Sequence, residues 1–186
     1  MPTQSTIMPI GTFAPDFTLP DTVSGKEISL RSGSPAAVAT VVMFLCNHCP
    51  YVIHIQHPLA ALAAEYIGRG VAFFGINSND AQQYPDDSPE KMKQVAAEIG
   101  YPFPYLFDET QEIARAYQAA CTPEFFVFDA NLTLAYHGQM DDSRPRTTIP
   151  VTGQDLRNAL EAVIASRPVP GLQKPGIGCG IKWKRG

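Results

Sequence analysis

Charged residues are scarce in this sequence of 186 residues, at 17% against roughly 25% in average soluble domains. The net charge is −4 and no run of Lys and Arg occurs before the last five residues, which argues against nucleic-acid binding. A hydrophobic content of 45% argues against a disordered chain. The composition therefore indicates a folded protein of about one domain.

Export and membrane signals are also lacking. The first twelve residues contain no cationic segment followed by an apolar one, so we expect no secretory signal. The longest apolar stretch, residues 35–46, is about half the ~20 residues that a membrane-spanning helix needs. We therefore expect a cytoplasmic protein with no membrane or nucleic-acid partner and no cofactor; the oligomeric state stays open.

Strands and helices alternate along the chain, which predicts an α/β fold with a central mixed sheet and helices on both faces. A hairpin is predicted at 17–19 and 27–30, and strands at 36–45, 71–76, 105–107, 125–128 and 132–137. Helices are predicted at 50–67, 88–100, 109–119 and 154–166. Because Pro and Gly recur after Arg167, we expect a domain at 1–167 and an irregular tail at 168–186, packed on or near it.

The four cysteines are too few to hold such a fold together, but two of them form the motif Cys46-Asn47-His48-Cys49. The motif lies where the strand at 36–45 stops and the helix at 50–67 begins. Unpaired N–H groups and the helix dipole stabilise a thiolate there, and one helical turn brings two sulfurs within disulfide range. We predict Cys46 as an exposed nucleophile and Cys49 as the thiol that resolves the mixed disulfide.

His48 is predicted to tune this pair. A partly cationic imidazole favours Cys46 as thiolate and makes the pair more oxidising than Gly-Pro between the cysteines would. Two other interpretations are open: a zinc site that adds His54 and His57 to Cys46 and Cys49, or two unreactive structural cysteines.

Three features of the chain resemble the thioredoxin superfamily: the strand–Cys-x-x-Cys–helix unit, Pro58 within the helix, and Thr122-Pro123 before the next strand. The resemblance implies a cis-proline at Pro123 that faces the cysteines, with the exposed backbone of Thr122 pairing with an extended substrate. Nearly the whole chain is similar to the peroxiredoxin-like redoxin family, which comprises the alkyl hydroperoxide reductase/thiol-specific antioxidant and TlpA-like branch. Its motifs are matched at 14–17, 44–52, 75–80, 122–126 and 176–183, and the hairpin predicted at 17–19 and 27–30 would be an N-terminal extension of the fold.

The sequence departs from the peroxidase pattern of that family. Peroxiredoxins have Pro seven residues and Thr or Ser three residues before the peroxidatic cysteine. Those positions hold Val42 and Cys46 when counted from Cys49, and Ala39 and Met43 when counted from Cys46. A peroxide site assisted by that hydroxyl is therefore not expected in this frame.

A proton acceptor is missing as well, because Thr40 stands where thioredoxins have a buried aspartate. Glu124, directly after Pro123, either replaces that acceptor or is a solvated residue at the strand start. The polar stretch 77–91 follows a strand and is expected to line the site.

Cys121 and Cys179 are possible additional thiols. Cys121 is two residues from Pro123 and is either a third exchange partner or a buried small hydrophobic residue. Cys179 lies among glycines and is either a resolving thiol or part of a tail anchored by Ile181 and Trp183.

Residues and resemblance together predict a thiol–disulfide oxidoreductase that acts on protein or small-molecule disulfides with a thiol reductant. Cys46 and Cys49 would be catalytic, with supporting roles for Asn47, His48, Thr122, Pro123 and Glu124. One alternative is a thiol-dependent peroxidase, and another is a non-enzymatic redox sensor or metal-binding protein.

Overall fold

A computed structural model describes residues 2–31 and 37–185 of the chain. Its strands are β1 (Thr3–Gln4), β2 (Thr18–Pro20), β3 (Glu27–Ser29), β4 (Ala39–Phe44), β5 (Val71–Asn77), β6 (Tyr105–Phe107), β7 (Cys121–Thr122), β8 (Glu124–Asp129), β9 (Leu134–Gly138) and β10 (Ile177–Gly180). Its α-helices are α1 (Pro50–Ile67), α2 (Pro89–Ile99), α3 (Glu112–Ala116) and α4 (Gln154–Ile164). None of the helices within the described residues is long and apolar enough to cross a membrane.

The central sheet has five strands in the order β6-β5-β4-β8-β9. The pairs β4–β5 and β5–β6 are parallel, and β4–β8 and β8–β9 are antiparallel, so the predicted mixed sheet is confirmed. Strand β4 begins at Ala39 rather than Ala36, which lies outside the described residues. Because parallel strands end at the same edge, the segments after β4 and β5 meet there.

Each face of the sheet packs against its own apolar cluster, and β4 supplies both by strand alternation. Val41 and Met43 belong to the cluster that includes residues of α1, α2 and α4. Val42 and Phe44 belong to the other, which includes residues of α3 and the β2–β3 hairpin. Helices therefore lie on both faces, and the predicted hairpin extension covers part of the second.

The helix boundaries follow local signals in the sequence. Helix α1 has the predicted bounds and contains Pro58, and α2 is capped by the Ser88 hydroxyl and ends at left-handed Gly100. Helix α3 is shorter than the predicted 109–119 because Gln111 and Gln118, at φ 64° and 52°, interrupt the helical backbone at its two ends.

The tail is not irregular as predicted. Its strand β10 lies between β1 and β7 and pairs antiparallel with both. The glycines that suggested a break instead permit this pairing: a β-carbon at Gly178 would collide with the carbonyl oxygen of Thr122. Whether residues 1–167 fold as a separate domain stays a prediction.

Candidate redox site

The site lies where β4, α1, β7 and β10 meet. Cys46 follows β4, and Cys49 is the N-cap residue of α1. Cys46 Sγ is 3.1 Å from Thr122 Oγ1, whereas Cys49 Sγ is 3.2 Å from the Thr122 carbonyl oxygen and 2.7 Å from Cys179 Sγ. The Thr122-Pro123 peptide is cis, as the resemblance implied, and the cysteines are reduced.

Two expectations about exposure are wrong. Cys46 is 1% exposed and Cys49 is fully buried, so neither is an exposed thiol in this conformation. Thr122 is 2% exposed, and its strand edge is not free for a substrate because β10 pairs with it, Cys179 opposite Thr122. The sequence could not show this, since the occupying strand lies in a segment rich in Gly and Pro.

Asp87 is a buried carboxylate beside the Cys-x-x-Cys motif. It accepts hydrogen bonds from the backbone N–H of Asn47 (2.7 Å) and from the side-chain amides of Asn77 (3.2 Å) and Asn79 (2.8 Å). Asp87 lies in the loop after β5, so the expectation that 77–91 lines the site is confirmed. The individual role of Asp87 was missed because several acidic residues in that stretch look alike in the sequence.

His48 contacts this carboxylate, with Nδ1 2.7 Å from Asp87 Oδ2 but without the alignment of a hydrogen bond. Its side chain is 26% exposed, and its ring stacks on Tyr84 at 5.6 Å between centroids. Asn47 is fixed by the Tyr105 hydroxyl, which donates to its side-chain oxygen at 3.0 Å. The loop after β5 thus holds His48, and strand β6 helps to hold Asn47.

The pKa values of the two thiols of the motif shift in opposite directions. A hydrogen bond from Cys46 is the main cause that lowers the pKa of Cys49 to about 5, with further donors in Cys179 and the Val52 N–H. The hydrogen bond with Cys49, then burial and the charge of Asp87, raise the pKa of Cys46. These two shifts run against a thiolate on Cys46, whereas the 3.2 Å contact with the Thr122 carbonyl oxygen needs a thiol proton on Cys49, so the Cys46 thiolate stays a prediction.

Glu124 is fully buried, so the interpretation as a solvated residue is wrong. Its Oε2 accepts from the N–H groups of Ala120 (2.8 Å) and Cys121 (3.1 Å), and its Oε1 lies 2.6 Å from His137 Nε2. The Met8 N–H donates to His137 Nδ1, so the ring proton is on Nε2 and points to Glu124. Glu124 thus holds the loop that carries Thr122-Pro123; its part as a proton acceptor for Cys49 stays a prediction.

Cys121 is fully buried, and its Sγ approaches Glu124 Oε2 at 3.8 Å. Burial is the main cause that raises its pKa. These contacts match the interpretation of Cys121 as a small buried residue better than that of an exchange partner.

The zinc set suggested by the sequence is not the one assembled in the structure. His54 Nε2 is 2.7 Å from the Ser143 hydroxyl instead. Within the part of the chain that the structure describes, the metal-type donors that come together are Cys46, His48 and Asp87, within 4.8 Å of one another.

The fold and the site define a thioredoxin-like redoxin, with a Cys-x-x-Cys helix start facing a cis-proline. The chain belongs to the AhpC/TSA family, whose model matches residues 10–137. A comparison with proteins of curated function found no match.

Two solved structures are similar over the whole chain. An uncharacterized conserved protein from Geobacillus kaustophilus is 56% identical, with 100% of this chain and 98% of that chain covered and a TM-score of 0.96. A hypothetical protein from Sinorhizobium meliloti is 46% identical, with 99% and 100% covered and a TM-score of 0.96. A thiol:disulfide interchange protein from Chlorobium tepidum, at 20% identity, 85% and 99% coverage and a TM-score of 0.63, shares the fold.

Proposed function

We propose that the protein is a thiol–disulfide oxidoreductase in which Cys46 and Cys49 cycle between dithiol and disulfide. One observation carries the proposal: where α1 begins, the sulfurs of Cys46 and Cys49 lie 3.1 Å and 3.2 Å from atoms of Thr122, at the cis Thr122-Pro123 peptide. A hydrogen bond between the two thiols lowers the pKa of Cys49. A stabilised thiolate beside a second thiol is the arrangement that disulfide exchange requires.

The same hydrogen bond supplies the nucleophile. If the Cys46 proton passes to Cys49, the Cys46 thiolate attacks a substrate disulfide, forms a mixed disulfide and releases one substrate thiol. Cys49 then attacks Cys46 Sγ, the second substrate thiol leaves, and the two electrons of the dithiol have reduced the substrate. A thiol reductant reverses these steps in a reducing compartment, which we expect to be the cytoplasm. Both thiols are buried, so exchange requires local opening of the site.

A thiol peroxidase with an antioxidant role is the second candidate, and one contact favours it. The Thr122 hydroxyl, 3.1 Å from Cys46 Sγ, supplies from β7 the group that is missing three residues before the cysteine. Peroxide reduction by Cys46 would form a sulfenic acid, which Cys49 would convert into the same disulfide with loss of water.

Two assays on the same proteins test the proposal: reduction of insulin disulfides and consumption of hydrogen peroxide. We expect wild type to reduce insulin, and both Cys46→Ser and Cys49→Ser to fall to the background rate. The control is Cys121→Ser, which removes a buried thiol outside the pair and is expected to keep the wild-type rate. Peroxide turnover without disulfide reduction would favour the peroxidase, and stoichiometric zinc with neither activity would favour a metal-binding protein.

A further inference from the structure

Cys179 differs from the other three cysteines in exposure and in position. It is partly exposed, whereas Cys46, Cys49 and Cys121 are buried. It is on β10, directly opposite Thr122, and its Sγ is 2.7 Å from Cys49 Sγ. Cys49 therefore has two thiol neighbours, Cys46 within the motif and Cys179 towards the surface.

The strand holds Cys179 in this place through contacts on both sides. Before it, the Gly176 N–H donates to the Ser5 hydroxyl at 2.8 Å, and Gly178 passes against the Thr122 carbonyl where no side chain would fit. After it, Ile181 is buried and the Lys182 N–H donates to Asn79 Oδ1 at 2.8 Å. The approach of the two sulfurs thus follows from strand pairing rather than from a chance position of a loose tail.

The pairing also closes a route to the buried pair. An extended peptide can add to a sheet by pairing with a free edge strand. Here β10 takes that edge of β7, so a thiol that arrives from solvent meets Cys179 rather than Thr122.

We propose that Cys179 is the surface terminal of a three-thiol relay, in which Cys49 changes its disulfide partner between Cys46 and Cys179. The relay deepens the proposed function and rests on it, because it needs the Cys46–Cys49 disulfide as its starting point. It assigns the exchange with the thiol reductant to Cys179.

Each step of the relay conserves electrons. The Cys179 thiolate attacks Cys49 Sγ, the Cys46–Cys49 bond breaks, and Cys46 leaves and takes up the proton that Cys179 lost. A reductant thiolate then attacks Cys179 Sγ, and Cys49 leaves as a thiolate. A second reductant thiol attacks the mixed disulfide, releases the oxidised reductant and restores Cys179. Since a thiol of low pKa leaves readily, the stabilised Cys49 thiolate favours the second step.

Disulfide mapping under non-reducing conditions tests the first link. With one equivalent of diamide, wild type is expected to form Cys46–Cys49, and Cys46→Ser to form an intramolecular Cys49–Cys179 disulfide. Cys46→Ala repeats the measurement in case the serine variant is unstable. Gly178→Ala, built on the Cys46→Ser chain, keeps Cys49, Cys121 and Cys179 but displaces β10, and is expected to lose the Cys49–Cys179 bond.

The rate of reduction by glutathione tests the second link. Oxidised Cys179→Ser is expected to be reduced about ten-fold more slowly than wild type, and Cys121→Ser at the wild-type rate. A Cys46→Ser protein that stays reduced or dimerises through Cys49, or an unchanged rate in Cys179→Ser, would overturn the relay. Absence of Cys46–Cys49 in wild type would instead overturn the proposed function, so the two failures are distinct.

Discussion

Two buried carboxylates flank the thiols, each in contact with a histidine, and the two histidines differ in access to water. Glu124 and His137 are both fully buried, and the ring proton of His137 is fixed on Nε2. Asp87 is equally buried, but its partner His48 is 26% exposed and its contact lacks hydrogen-bond alignment. The first pair is enclosed and holds one hydrogen-bonded arrangement, whereas the second reaches solvent through the ring of His48.

The two carboxylates are therefore expected to have different roles, one in stability and the other in the chemistry of the thiols. Glu124 bonds to the backbone that carries the cis-proline loop, so its loss is expected to act on stability. Asp87 contributes to the raised pKa of Cys46, after the hydrogen bond with Cys49 and burial, so its loss is expected to act on the redox pair. Variants at Glu124 and Asp87 test whether the two roles are in fact separate.

The largest expected effect is on stability, at Glu124. Glu124→Ala leaves the N–H groups of Ala120, Cys121 and His137 buried without their acceptor, so we expect a loss of about 3–5 kcal/mol in the free energy of unfolding. Urea unfolding of the reduced protein measures it. The matched control is Glu65→Ala, whose exposed pair with Arg157 is expected to contribute less than about 1 kcal/mol. Equal losses in the two variants would contradict the supporting role of Glu124.

Local rules predicted much of this architecture because the signals are contained within single elements. The apolar run of β4, the Pro50 start of α1 and the Ser88 cap each determine an element from neighbouring residues. The Cys-x-x-C position and the cis Thr122-Pro123 peptide could likewise be located without a structure, the latter from a family resemblance.

The rest depends on contacts between segments far apart in the chain. Asp87 is about forty residues from Cys46, and nothing in its neighbours marks it as the acidic residue that turns inward. Its charge nevertheless contributes to the raised pKa of Cys46, after the hydrogen bond with Cys49 and burial. The pairing of Cys179 with Thr122 could not be predicted from the sequence for a different reason. Glycines usually end a strand, but here they allow two backbones to approach closely.

The identity of the thiolate is the next test, because the hydrogen bond between the two thiols is the main cause of both pKa shifts. From the lowered pKa of Cys49 we expect the reduced protein to hold a thiolate at neutral pH and to protonate it as the pH falls through about 5. Ultraviolet absorbance of the thiolate against pH measures this transition, which Cys49→Ser is expected to abolish. In Cys46→Ala the midpoint is expected to rise, since Cys49 loses its main hydrogen-bond donor, whereas the Cys46→Ser hydroxyl can still donate. A transition near 5 that persists in Cys49→Ser would place the charge on Cys46.

The smallest expected effect is on the redox potential, which two variants are expected to shift in opposite directions. Asp87→Asn removes a negative charge beside the thiols, stabilises the reduced form and is expected to raise the potential. His48→Ala removes the ring that contacts Asp87 and is expected to lower the potential, as the sequence already suggests. One pKa unit corresponds to about 1.4 kcal/mol and therefore about 30 mV, so shifts of that order or smaller are expected at the partly exposed histidine. Equilibration with glutathione measures the potentials of both variants. Shifts of the same sign would contradict opposite contributions of Asp87 and His48 to the redox potential, and with them the contrast between this partly exposed pair and the buried pair of Glu124 and His137.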